Sequence, residues 1–123
     1  MPPTGGLSIS ARRLRKHFDD GLVRALDGVD LEVAAGERVA ITGPTGCGKS
    51  TLLSLLALLE PPDGGELELG GFPAPNIRDP DRWRAENLGI VFQFHHLLPH
   101  LSAEENVQLP LIGRGTPRPE IRR

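Results

Sequence analysis

The chain is 123 residues long with a net charge of −2 and a single cysteine. That length suits one modest domain with a usable core, and the weakly acidic balance gives no electrostatic footprint for nucleic acid. One cysteine forms no internal disulfide, which suits a reducing cytoplasm, and no apolar run reaches the ~20 residues of a bilayer span.

Residues 1–6, Met1-Pro2-Pro3-Thr4-Gly5-Gly6, lack the basic and apolar parts of a signal peptide and read as a flexible N-terminus. Leu7, Ile9 and Ala11 alternate with polar residues, as do Val29, Leu31 and Val33, so both stretches predict strands. Asp19-Asp20-Gly21 predicts a turn between them, and Ala34-Ala35-Gly36-Glu37 another. Arg38-Val39-Ala40-Ile41-Thr42 is rich in β-branched residues and predicts a buried strand. Gly43-Pro44-Thr45-Gly46-Cys47-Gly48-Lys49-Ser50-Thr51 follows, and Leu52 to Leu59 then predicts a helix. Pro61-Pro62-Asp63-Gly64-Gly65 is expected to stop that helix.

Glu66 to Leu69 alternates and runs into Gly70-Gly71, as in a short hairpin. Asp79-Pro80 is a helix start, with a short charged helix expected through Glu86 and Trp83 as its packing anchor. Leu88 to Phe92 predicts a second buried strand, ending at Gln93. Ser102-Ala103-Glu104-Glu105 matches a capping box, so a helix should begin there and end or kink at Pro110. From Gly113 the chain turns polar, and its arginines (Arg114, Arg118, Arg122, Arg123) read as solvated surface.

The segment 43–51 carries the chemistry. It fits G-x-x-x-x-G-K-[ST], the phosphate-binding loop of P-loop NTPases, and stands between an expected strand and an expected helix, as that loop requires. Backbone N–H groups at a helix N-terminus favour phosphate. Gly43, Gly46 and Gly48 allow close backbone approach. Lys49 supplies a point charge to the β- and γ-phosphates, and the Ser50 hydroxyl suits Mg²⁺, a hard cation that prefers oxygen. Thr51 adds a hydroxyl further back. Cys47 reads as a small side chain tolerated in the loop, with a reactive thiolate beside Lys49 as the alternative. His95, His96 and His100 lack a fourth ligand at zinc-site spacing.

From about Leu7 to Ile112 the order of features resembles the first part of an ABC transporter ATP-binding domain. The similar stretches are Ala25-Leu26-Asp27-Gly28-Val29-Asp30-Leu31, Gly36 to Ile41, the phosphate loop, Gly64-Gly65-Glu66, Leu88 to Gln93, Glu105-Asn106-Val107 and Leu109-Pro110-Leu111. The resemblance implies an α/β fold: a P-loop (ABC ATPase) core, truncated, with an antiparallel β subdomain and the start of a helical subdomain. Residues 7–123 would be the N-terminal part of that domain, and 93–123 the Q-loop and the start of the helical subdomain.

The resemblance also implies site residues. Lys49 and Gln93 would be catalytic, with Gln93 as the Q-loop glutamine that senses metal and γ-phosphate. Ser50 and Gln93 would hold Mg²⁺. Gly43, Pro44, Thr45, Gly46, Cys47, Gly48, Lys49, Ser50 and Thr51 would bind the phosphates of ATP, and Phe18 would stack on adenine. Ordinary core packing is the alternative for Phe18. The implied partners are transmembrane permease subunits and a second ATP-binding subunit, which places the chain on the cytoplasmic face of the inner membrane.

Phe92 to Pro99, with paired histidines and Leu97-Leu98-Pro99, is similar to the lipoprotein-releasing (Lol-type) ATPase subunits. It implies coupling of ATP hydrolysis to lipoprotein release or export. Leu97 and Leu98 could dock on a permease or pack inside the helical subdomain; the two look alike in sequence. Macrolide-type exporter ATPases share Leu-Leu-Pro and are the alternative within the family. A non-ABC P-loop kinase or NTPase, or a non-catalytic nucleotide-binding remnant, are the alternatives outside it. No signature motif, Asp-Glu strand end or switch histidine follows residue 112. The chain is therefore expected to be an N-terminal fragment, not hydrolytically competent alone, and aggregation-prone through unpaired strand edges.

Overall fold

The computed structural model describes residues 5–94 and 96–111. Residues 1–4, His95 and the arginine-rich stretch 112–123 lie outside the described residues. The chain divides into two compact units, Met1–Pro80 and Asp81–Arg123.

The first unit is built on a four-stranded sheet of order β2-β1-β3-β4. Strands β1 (Ile9–Phe18) and β2 (Val23–Val33) form an antiparallel pair around the turn at Asp19–Gly21. β3 (Gly64–Leu69) adds antiparallel to the other edge of β1, and β4 (Phe72–Pro73) closes on β3. Both central residues of the connecting turn, Gly70 and Gly71, have positive φ, 59° and 81°. Such a turn matches the twist of its strands and needs residues without Cβ strain. The alternating stretches and both turns expected from the sequence are thus realised.

Burial follows the alternation. It does so strictly in β3, at Leu67 and Leu69; in β1 the buried Ala11 and Leu14 stand three apart across a register shift, Leu26 is buried on β2, and Ser10 donates to Glu32 across the β1–β2 ladder at 2.6 Å. Helix α1 (Lys49–Leu56) buries Leu52, Leu55 and Leu56, which completes the core with the adjoining Ala57.

Helix α1 departs from the expected 52–59 at both ends. It begins earlier, at the phosphate loop, and ends before Leu59. Leu58 adopts φ 56°, Leu59 N donates to Ser54 O at 2.9 Å, and Leu58 N donates to Leu55 O at 3.0 Å. This pair of bonds satisfies the last carbonyls and turns the chain out of the helix. The stop lies ahead of Pro61-Pro62, and its left-handed residue is a leucine instead of the glycine that usually announces such an end.

The expected buried strands at 38–42 and 88–92 are corrected. Neither forms a ladder among the described residues, and Val39, Ile90, Val91 and Phe92 are exposed. A strand exists by virtue of a partner, and no described segment supplies one to either stretch.

In the second unit, α2 (Pro80–Asn87) begins on its proline as expected, and Trp83 is half-buried. α3 (Ala103–Gln108) starts at a complete capping box and tightens into a 3₁₀ turn, Leu109–Leu111, at Pro110.

Candidate functional site

The loop 43–48 is shaped by its own sequence. Cys47 N donates to Pro44 O at 3.3 Å and closes a tight turn. Gly48 then caps α1 with φ 98°, and a Cβ there would lie 2.3 Å from the Ala25 carbonyl oxygen of β2. Glycine is required twice over, by conformation and by the close approach of loop and strand. That approach fixes the start of α1 against the sheet.

Gly48 offers no side chain, so no side-chain bond caps α1. The first N–H groups of a helix have no intrahelical acceptors, and the dipole leaves partial positive charge there. The first turn contains no acidic residue. Lys49 adds a full charge at the same place: its Nζ donates to Gly43 O at 2.5 Å and Pro44 O at 2.7 Å, and lies 3.4 Å from Cys47 Sγ. The loop's own carbonyls hold the ammonium inside the loop. Ser50 is exposed on the first turn and Thr51 half-buried behind it. Uncapped amides, a lysine and a hydroxyl together fit a phosphate with a hard divalent cation. Cys47 is a free, exposed thiol.

Phe18 ends β1 opposite Val23, and its side chain is exposed. Val23 stands two residues from Ala25, on whose carbonyl Gly48 packs, a separation of roughly 7 Å along the strand. The sheet therefore brings an exposed aromatic ring to the end that carries the phosphate loop. Gln93 belongs to the second unit, exposed in a bend between Phe92 and Phe94. Phe92 packs edge-on against His96, with centroids 4.9 Å apart and an interplanar angle of 69°.

Two residues that sequence reasoning gave no role organise these regions. Lys16 shares its neighbourhood with Phe18 and the turn after α1. Its place two residues before Phe18, on the same strand face, was the available signal. Asn106 clamps the loop before α3. Its Oδ1 accepts from Leu98 N at 2.8 Å, and its Nδ2 donates to Leu98 O, Leu101 O and Ser102 O at 3.2, 3.2 and 2.9 Å. An asparagine one turn beyond an N-cap serine, after a proline-containing loop, was the signal there.

The Glu105 carboxyl is held below its ordinary range, chiefly by the Ser102 backbone N–H and then by the Ser102 hydroxyl, against a smaller opposing effect of burial. Among the described residues no group of three or more His, Cys, Asp or Glu could hold a metal ion, and no helix is long and apolar enough to cross a membrane.

The sequence profile of the ABC transporter family matches residues 26–122. The chain belongs to the ABC transporter family. The α/β cassette fold expected from the resemblance holds in solved structures. A dimeric ATP-binding cassette in a post-hydrolysis state, bound to ADP and Pi, aligns with a TM-score of 0.84 at 34% identity, over 93% of this chain and 52% of that one. An ABC cassette of Clostridium perfringens, part of the cbiONQ transporter complex, aligns with a TM-score of 0.76 at 29% identity, over 93% and 45%.

Among ABC proteins, the lipoprotein-releasing system ATP-binding protein LolD of Paramagnetospirillum magneticum is 50% identical over 113 residues, covering 90% of this chain and 50% of that protein. LolD of Xylella fastidiosa is 46% identical over 114 residues, covering 89% and 48%. The chain spans about half the length of the curated relatives it matches.

Proposed function

We propose that this ABC chain is the nucleotide-binding part of an ATP-binding subunit that powers lipoprotein release or export. The observation that carries the reading is the Gly43–Thr51 loop, with its ammonium held inside and its helix N-terminus uncapped. In this reading the backbone of Gly43 to Gly48 cradles the phosphates of ATP, and Lys49 neutralises the β- and γ-phosphate charge. The Ser50 hydroxyl would hold Mg²⁺, Thr51 would add a contact further back, and Gln93 would serve as the Q-loop glutamine. Bound Mg²⁺ supplies charge neutralisation across the phosphate oxygens. Phe18 offers a π face to the adenine.

Residues 7–123 then form the N-terminal part of the ATP-binding domain, and 93–123 the Q-loop and the start of its helical part. The exposed Leu97 and Leu98, fixed through Asn106, form a surface for a permease subunit. The partners are permease subunits and a second ATP-binding subunit, on the cytoplasmic face of the inner membrane. Likeness to LolD across nine-tenths of the chain supports the lipoprotein-releasing type. The residues of this chain bind and position ATP.

Reconstitution tests the reading. A full-length subunit carrying these residues, assembled with a lipoprotein-releasing permease in liposomes, should release lipoprotein on addition of Mg-ATP. The Lys49→Ala subunit should assemble but release nothing. Assembly with a macrolide-type permease in its place, or release that survives Lys49→Ala, would overturn it.

A further inference from the structure

Lys16 is a charged residue whose side chain is only 12% exposed, and everything around it is arranged to hold its head. Its Nζ donates to the Pro61 carbonyl at 3.0 Å and stands 3.6 Å from Glu60 Oε2 and 3.8 Å from Asp63 Oδ1. The turn that supplies these oxygens is itself tied to β1. Asp63 N donates to Arg15 O at 2.9 Å, and Asp63 Oδ2 accepts from His17 N at 2.7 Å. The same Nζ lies 5.5 Å from the centroid of the Phe18 ring. Residues 16 and 18 share a strand face, so the ammonium sits over one face of the ring of Phe18, which stays 37% exposed.

We infer that Lys16 is a positioning residue for Phe18, locked by the turn after α1 so that one face of the ring is held for a nucleotide base. The inference rests on the nucleotide reading of the phosphate loop. A cation over one face of an aromatic ring is attracted by the ring quadrupole and restrains the ring's tilt. The opposite face remains for a purine, where stacking acts. The locking turn follows the helix that begins at Lys49, so one element bears on the phosphate end through its start and on the base end through its exit. Asp63 reinforces the lock in its ionised form. Its carboxyl is held below the ordinary range first by the His17 N–H and further by Lys16, with burial opposing.

Titration calorimetry of the full chain with Mg-ATP and with magnesium tripolyphosphate, which has no base, separates the roles. Wild type should bind ATP about ten-fold more tightly than tripolyphosphate. Lys16→Gln should weaken ATP about five-fold and leave tripolyphosphate unchanged. Phe18→Ala should do the same, the double variant should lose no more than Phe18→Ala, and Lys16→Arg should restore most of the ATP affinity. Equal losses for both ligands in Lys16→Gln would make Lys16 a general staple and overturn the inference, as would no loss for either. Should Lys16→Gln fail to fold, Glu60→Gln takes its place, with a smaller ATP-selective loss expected and an equal loss on both ligands overturning the inference. A wild-type chain that binds neither ligand sinks the nucleotide reading itself, and this inference with it.

Discussion

The two units are held by different physics. The first buries Ala11, Leu14, Leu26, Leu52, Leu55, Leu56, Ala57, Leu67 and Leu69 between sheet and helix, whereas no described residue of the second is buried. The second is held by local polar bonds: the capping box of α3, the four hydrogen bonds of Asn106 and the pair Arg82–Glu86 at 2.8 Å. Hydrophobic burial is non-local and cooperative, while caps and clamps order only the residues they touch. The phosphate loop thus sits on the unit with a buried core, and Gln93 and Leu97-Leu98 on the unit whose described residues are held by local polar bonds.

The sharpest way to break this contrast is a cavity. Leu55 is 0% exposed, so Leu55→Ala should cost about 2–5 kcal/mol. Hydrogen exchange should show β1, β2 and β3 losing protection together. Protection lost in α1 alone would mean that the first unit is no more cooperative than the second.

A smaller and strictly local effect is expected from Asn106→Ala. It removes a side chain that satisfies several backbone groups, a loss of roughly 1–3 kcal/mol. Amides of 98–108 should exchange faster while the melting of the sheet is unchanged. A drop in the sheet's melting temperature would contradict the separation.

Acid should produce the smallest change, and its sign follows from the carboxyls. Asp63 and Glu105 both ionise more readily when folded, each chiefly through a backbone N–H, that of His17 and that of Ser102. Their contributions are complete above the ordinary carboxylate pKa, about 4, and are lost as pH falls through the lower folded values. Titration below pH ~4 should loosen α3 and the turn at Asp63 before the sheet melts. Loosening that begins near neutral pH would contradict this assignment.

What could be read from the sequence was whatever a few neighbouring residues decide. Gly70-Gly71 specifies its hairpin turn, Ser102 and Glu105 specify their cap, and Pro44 to Cys47 closes the turn of the phosphate loop, because each satisfies itself within one turn of chain. The segments 38–42 and 88–92 have the composition of buried strands, but pairing needs a distant partner, and none of the described segments provides one. The end of α1 was hidden because Leu58 does what a glycine usually does. Lys16 was hidden because its meaning lies in oxygens 44 to 47 residues away at Glu60, Pro61 and Asp63.

Residues 43–51, in this reading, hold the phosphates of a nucleotide. Amide shifts on titration of the ¹⁵N-labelled chain with Mg-ATP test it residue by residue. The largest shifts are expected at Gly46 to Thr51, with a smaller group near Phe18, and both should be lost in Lys49→Ala. Saturable binding with the loop amides unmoved, or binding that survives Lys49→Ala, would contradict it.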